Sequence, residues 1–396
     1  MRLARIAGGF VALLLAGMLA GAEIWTLVPA PTLPTLVAAV AVPELAVWFV
    51  IVTLGSVALV QWVARGWARS VATALCALAL GCALVPLALL PATLAAADRE
   101  LTVTLGLDYQ DAAPDAQRAG MQAAPFDLRY ALAGLPAPAG VRIVRDIPYR
   151  STDGARLGLD LYQPAAPGNH PAVVLVYGGA WIFGTRADLT DIATRLAASG
   201  FTTVVVDYRK APKFRFPTQL DDVRAGIAAL AQHARAWGAD PARVAICGYS
   251  AGGELALLAA YAPEPVRVRA AAGIYAATDL VAGYDFPPRP DPVDVRRILV
   301  AYLAGPPLTR MAAYVAGSPV RAVRPHLPPT LLMGGARDEL VRIAFQHEMR
   351  DALRVHGNTV ASLELPWSNH AFDTIPRGIG GQLGRYYLER FLAATL

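Results

Sequence analysis

Three long apolar stretches crowd into the first 97 residues: "IAGGFVALLLAGMLAGAEIWTLV" (6–28), "ELAVWFVIVTLGSVALVQWV" (44–63) and "VATALCALALGCALVPLALLPATLAAA" (71–97). Crossing a bilayer takes about 20 mostly apolar residues, and each stretch supplies them. Buried helices of a water-soluble core would alternate with polar faces, which these stretches lack. The first 97 residues therefore read as a membrane region of about three spans. Arg2 and Arg5 before the first span, and Arg65 and Arg69 in the short connection "ARGWARS", mark the cytoplasmic side, because flanking arginines resist translocation. Everything after the third span is then expected outside the cytoplasm. Arg2, Arg5, the apolar run and "LAGA" before Glu23 also fit a cleavable signal peptide, and two remaining spans would leave the same face outside.

Residues 98–140 are polar and rich in alanine and proline without sustained periodicity, and read as a linker with one short helix. From Val141 to Leu396 the pattern changes. "VRIVRDIPYRS" and "RLGLDLYQP" alternate around "TDG", predicting an antiparallel hairpin. Buried strands follow at 172–179, 202–208, 244–249, 270–277, 329–335 and 361–366, with helical patterns at 187–199, 218–237, 251–262, 340–356 and 378–394. This alternation predicts an α/β domain with a mostly parallel sheet covered by helices on both faces.

In such sheets, sites form at the carboxyl ends of the strands. "VAICGYSAGGELALLAA" sets Ser250 after a strand and before a helix, the context of a nucleophile elbow, with Gly248 and Gly252 admitting the sharp turn. A serine nucleophile needs a base. Of six histidines, His233 and His347 lie in helical patterns, and His170, His326 and His356 in connections away from strand carboxyl ends; His370, in "WSNHAFD" after the last strand, remains. The orienting acid falls between them in the order Ser, Asp, His. Asp338 in "GGARDELV" is the candidate, with helix capping as its alternative role, and Asp279 in "YAATDL" is the reserve. The backbone N–H groups of Gly178, Gly179 and Ala180 in "VYGGAW", with that of Ala251, are candidates for an oxyanion site. Bulky Trp181 beside that loop, and no long apolar stretch in 279–325, lead us to expect short acyl chains.

The motifs "VYGGAW", "VDYRKAP", "FPTQLDDV", "GYSAGG", "GGARDELV" and "NHAFD", in that order over 141–396, resemble the α/β-hydrolase superfamily, specifically hormone-sensitive-lipase-like and acetyl-ester hydrolases. The resemblance implies a metal-free serine, histidine and aspartate triad on Ser250, His370 and Asp338 that cleaves small carboxylic esters. The family's oxyanion motif usually begins with histidine, and here Tyr177 stands in its place. The three spans lie outside the usual family pattern. An amide or acyl-peptide hydrolase on the same fold, or a catalytically silent binding module, is the alternative.

Other classes find no footing. The formal net charge is +5, but just two of the 35 basic residues are lysines and the arginines form no dense run, so a nucleic-acid partner is not expected. Cys76, Cys82 and Cys247 make no disulfide or zinc pattern, and "QHEMRD" has Asp351 where a zincin helix has its second histidine. No metal or cofactor is expected. The sequence thus predicts an enzyme held in a bacterial inner or plasma membrane with its catalytic domain on the extracytoplasmic side.

Overall fold

The computed structural model describes residues 2–262 and 268–396; the side chains of residues 1–6, among them Arg2 and Arg5, and of 115 and 116 lie outside the described residues. Four helices open the chain: α1 (Arg2–Glu23), α2 (Leu33–Glu44), α3 (Ala46–Val63) and α4 (Gly66–Leu105). Three of them, over Ala7–Thr26, Ala46–Val63 and Gly66–Leu105, are long and apolar enough to cross a membrane. They pack through small residues: Ala12 and Ala16 of α1, Ala64 after α3, and Ala72 and Cys76 of α4 share one buried cluster with Val60. A Cβ on Gly8 would stand 2.8 Å from the Val63 carbonyl oxygen, so only glycine allows α1 this close to the end of α3.

Two boundaries differ from the sequence reading. Glu44, expected to begin the second span, instead ends α2, a separate helix that the chain leaves at Leu45 before starting α3. The third stretch does not stop at Ala97. It continues as one 40-residue helix, about 60 Å long at 1.5 Å per residue and so twice the hydrocarbon thickness. Its far half carries Leu90, Ala97 and Leu101 into the main core of the following domain. There Glu100 accepts the Ser362 N–H at 3.0 Å, and the Tyr387 hydroxyl donates to Asp98 at 3.1 Å.

The stretch expected as a linker is packed as well. Tyr109, Met121, Tyr130 and Ala131 are buried, and the Gln122 N–H donates to Glu389 at 2.7 Å. Scattered aromatic and apolar residues suffice to anchor a segment that lacks periodicity, because it lies across a preformed surface instead of building an element.

The domain is an eight-stranded sheet. β1 (Arg142–Thr152) and β2 (Ala155–Gln163) form the antiparallel hairpin; β3 (His170–Val176), β4 (Thr202–Val206), β5 (Ala239–Tyr249), β6 (Ala270–Ile274), β7 (Thr330–Gly335) and β8 (Val360–Leu365) are parallel to one another. The spatial order is β1-β2-β4-β3-β5-β6-β7-β8, with β2 antiparallel to β4. Strands buried on both faces explain the continuous apolar run "VVLV" and the β-branched run "TTVVV". The order reverses around β3 and β5, so the loops leaving these two neighbours meet above the sheet.

Candidate active site

Ser250 stands between β5 and the helix Ala251–Ala260 at φ 54°, ψ −123°, a conformation a non-glycine residue adopts only when its surroundings force it. The forcing contacts are specific. A Cβ on Gly248 would lie 2.0 Å from the Gly252 carbonyl oxygen, and one on Gly252 would lie 2.3 Å from those of Val176 and Tyr177. The turn closes only with glycine at both positions, as its sharpness predicts.

The structure brings the three candidate side chains together. His370 Nδ1–H donates to Asp338 Oδ2 at 2.8 Å, which leaves Nε2 to accept the Ser250 hydroxyl at 2.8 Å. Asp338 and His370 are buried to 8 % and 6 % exposure, so their interaction is little screened. The helix-capping role does not hold: the next helix runs Ile343–Val355 with Arg342 at its N-cap, and Asp338 Oδ1 instead closes the turn before it, accepting the N–H groups of Leu340 and Val341, both at 2.8 Å. Asp279 is committed elsewhere, accepting the Ala282 N–H as a helix N-cap and pairing with Arg321 at 3.0 Å. The His370 ring lies 4.6 Å from that of Tyr275, whose hydroxyl donates to Asp373 at 2.5 Å. Burial raises the Asp373 carboxyl above its ordinary range.

The loop after β3 passes beside the serine. A Cβ on Gly178 would meet Ser250 Cβ at 3.0 Å, and Gly179, Ala180 and Trp181 all have positive φ, at 110°, 54° and 59°. Among the described residues no hydrogen bond engages the N–H groups of Gly178, Gly179 or Ala180, so they remain donors available to a charge forming at the serine. The loop's conformation is costly and needs support. Tyr208 supplies part of it, its hydroxyl donating to the carbonyls of Tyr177 and Gly178 at 3.2 Å. Tyr177, in the place where the resembled family usually has histidine, stacks on Tyr208 at 4.6 Å, donates to the Asp207 carboxylate and accepts from Lys210 at 3.0 Å. It is a buried pillar beneath the loop.

Sequence reasoning passed over Glu254, which completes that support. It is fully buried; its Oε2 accepts the Trp181 indole N–H at 3.0 Å, and the Tyr302 hydroxyl donates to it at 3.3 Å while the Trp181 and Tyr302 rings stack at 4.1 Å. A single charge inside the apolar helix "AGGELALLAA" was the signal. Burial raises its carboxyl pKa well above the ordinary 4.5. Because the folded value exceeds the unfolded one, the stabilisation is complete below about pH 4.5 and is lost as pH rises toward the folded value. Glu254→Gln keeps an acceptor for Trp181, so its melting temperature is expected to gain on the wild type progressively above pH 4.5. Glu254→Leu leaves the indole N–H unpaired, and we expect kcat to fall roughly 10-fold, part of the 10²–10³ that an oxyanion donor supplies. Equal kcat for the Leu and Gln proteins would show that Glu254 does not hold the loop.

Ser250 and His370 open into a cleft of about 1560 Å³, walled by Ile192, Ile298 and Phe372 among others, and reaching Leu33 of α2. On its other side Ser250 borders a small pocket of about 70 Å³ between Trp181, Ala277, Leu280 and Phe345. No group of histidine, cysteine or acidic side chains able to hold a metal is found among the described residues.

Set against known proteins, residues 159–353 match the BD-FAE family. The chain is 31% identical over 218 residues to the probable carboxylic ester hydrolase LipM of Mycobacterium tuberculosis, which covers 52% of this chain and 51% of that protein. It is 32% identical over 238 residues to esterase LipC of the same organism, covering 56% and 58% respectively. The chain thus spans somewhat more than half the length of these curated relatives. Among solved structures, the hyperthermophilic esterase from the archaeon Pyrobaculum calidifontis superposes with a TM-score of 0.55 at 23% identity, over 64% of this chain and 84% of that one. A bacterial heroin esterase gives 0.54 at 24% identity over 65% and 87%. With these structures and an eight-stranded, mostly parallel sheet in view, the domain after the apolar helices has the α/β-hydrolase fold.

Proposed function

We propose that the chain is a membrane-anchored carboxylic ester hydrolase that works through Ser250, His370 and Asp338. The observation that carries this reading is the continuous relay from the Ser250 hydroxyl through His370 to buried Asp338, both links at 2.8 Å, at the floor of a substrate-sized cleft. His370 Nε2 takes the hydroxyl proton as Ser250 Oγ forms a bond to the ester carbonyl carbon; the carbonyl π electrons move to oxygen, which rests on the N–H groups of Gly178, Gly179, Ala180 and Ala251. Asp338 holds the Nδ1–H tautomer and stabilises the imidazolium. As the C–O bond breaks, His370 returns that proton to the leaving alcohol. Water then attacks the acyl-enzyme by the same steps in reverse roles, releasing the acid and restoring Ser250.

The test is covalent labelling of the full chain with a fluorophosphonate, followed by turnover of esters and matched amides. We expect label on Ser250 and ester cleavage well above amide cleavage; an unlabelled serine, or amides cleaved as fast, would sink the reading. The 70 Å³ pocket beside Ser250 supports short acyl groups, and the larger cleft suits the alcohol portion. Each methylene a closed pocket refuses costs about 1 kcal/mol or more. Four methylenes separate butyryl from octanoyl, so we expect kcat/KM to fall roughly 10³-fold between these esters of one alcohol, and a preference for sixteen-carbon acyl chains would reverse the assignment of the two pockets.

A further inference from the structure

The cleft and the apolar helices meet at α2, and chain connectivity ties both ends of its segment to them. The first apolar span ends at Thr26 and that of α3 begins at Ala46. A single residue, Leu45, separates the end of α2 from α3, so the last turn of α2 is held at the bilayer surface. α2, "LPTLVAAVAVPE", carries no charge before its last residue. Its inner face, with Leu36, Ala39 and Val42, is buried, Leu36 and Ala39 packing with Val293 and Leu340 of the hydrolase domain, whereas Leu33 and Val37 on the outer face are 58 % and 61 % exposed. Trp25 and Trp48 stand at the two adjoining span ends, and Trp62 and Trp67 beside Arg65 at the opposite ends of α3 and α4, where aromatic side chains mark the two membrane interfaces. An apolar outer face beside a span end is matched by lipid, and among the described residues no other element covers it.

Leu33, at the start of this helix, lines the same cleft as Ser250 and His370, together with Phe183, which is 68 % exposed. Resting on the ester-hydrolase reading, we infer that the cleft opens onto the bilayer surface and that its substrate is an ester dissolved in the membrane, a short acyl group on a long apolar alcohol that enters over Leu33 and Phe183. The large volume on the cleft side then accommodates the part of the substrate drawn out of the lipid, while the small pocket takes the acyl group.

The test uses the full chain in phosphatidylcholine vesicles with two esters of one acid, hexadecyl butyrate in the bilayer and ethyl butyrate in the water. Val37 lies outside the cleft, one turn beyond Leu33. Glu in place of Val37 sets a charge against the lipid, so Val37→Glu is expected to lower hydrolysis of hexadecyl butyrate by roughly 10-fold and that of ethyl butyrate by less than about twofold. Equal losses on both esters, or a wild-type protein that cleaves ethyl butyrate and leaves hexadecyl butyrate intact, would overturn the inference and leave the ester-hydrolase reading standing. Failure on both esters with Ser250 unlabelled by fluorophosphonate would instead overturn that reading. Where Val37→Glu does not fold, Val37→Cys carrying an environment-sensitive dye answers independently, because the three native cysteines are buried. We expect its fluorescence to be quenched by brominated lipid, and an unquenched dye would place α2 away from the membrane.

Discussion

Ser250→Ala and His370→Ala are each expected to lower kcat by roughly 10⁴–10⁶, and the double variant to lose little more, because a nucleophile without its base and a base without its nucleophile are equally idle. Asp338→Asn is the more discriminating change. Its remaining carbonyl oxygen can still accept the N–H groups of Leu340 and Val341, so the turn stays closed, while the amide facing His370 Nδ1 imposes the wrong tautomer. We expect roughly 10⁴-fold in kcat with an unchanged melting temperature. Asp279→Asn removes no contact to His370 and should leave kcat within a factor of two or so. Steady-state kinetics on a butyrate ester, with thermal unfolding beside it, check all five; full activity in Ser250→Ala would remove the nucleophile assignment altogether.

Orientation yields a result close to all-or-none. Alkaline phosphatase fused near Gly140 is expected to be active, and fused within residues 64–70 inactive, because Arg65 and Arg69 resist translocation and the chain crosses once more before the domain begins. The contacts of residues 27–45 with the hydrolase domain bear on this, since two segments that touch must lie on one side: Ala30 N–H donates to Glu339 at 3.0 Å and Ser368 to Glu44 at 2.6 Å. On the proposed membrane reading that requires an even number of crossings between them, which α3 and α4 supply as two spans. The packing of α1 against both helices, with the Thr53 hydroxyl donating to Glu23 at 2.8 Å, favours a first span retained in the folded bundle. The reverse fusion pattern would turn the catalytic domain toward the cytoplasm and leave the chemistry untouched.

The strands and the elbow were legible because their constraints are local. Period-two hairpins, apolar runs between glycines and a serine at a strand-to-helix turn each write themselves into a few consecutive residues. Choosing His370 among six histidines needed just the expected positions of strand ends. What stayed hidden was long-range: Glu254 meets Trp181 across 73 positions and Glu44 meets Ser368 across 324. A lone carboxylate in an apolar helix announces that a partner exists without naming it. The continuation of α4 past Ala97 was obscured because "DRELTVTL" is polar enough to look like an exit from the membrane yet apolar enough on one face to pack on β8 and the last helix.

Glu44 gives the anchor a meaning beyond attachment. This carboxylate is almost wholly buried, its pKa pushed up to about 7 by that burial, and it accepts from the Ser368 hydroxyl and the Gly380 N–H on either side of the loop that bears His370. A protein cut between anchor and enzyme, its anchor then lost, would give up both hydrogen bonds, each worth about 1.5–3 kcal/mol where the carboxylate is charged, in a fold whose whole margin is of order 5–15 kcal/mol. Proteolytic shedding, which frees many ectodomains in working form, would here be a means of silencing. On the reading proposed above, the working life of the catalyst is tied to that of its patch of membrane, and a soluble version would have to be redesigned around the place of Glu44, not merely trimmed.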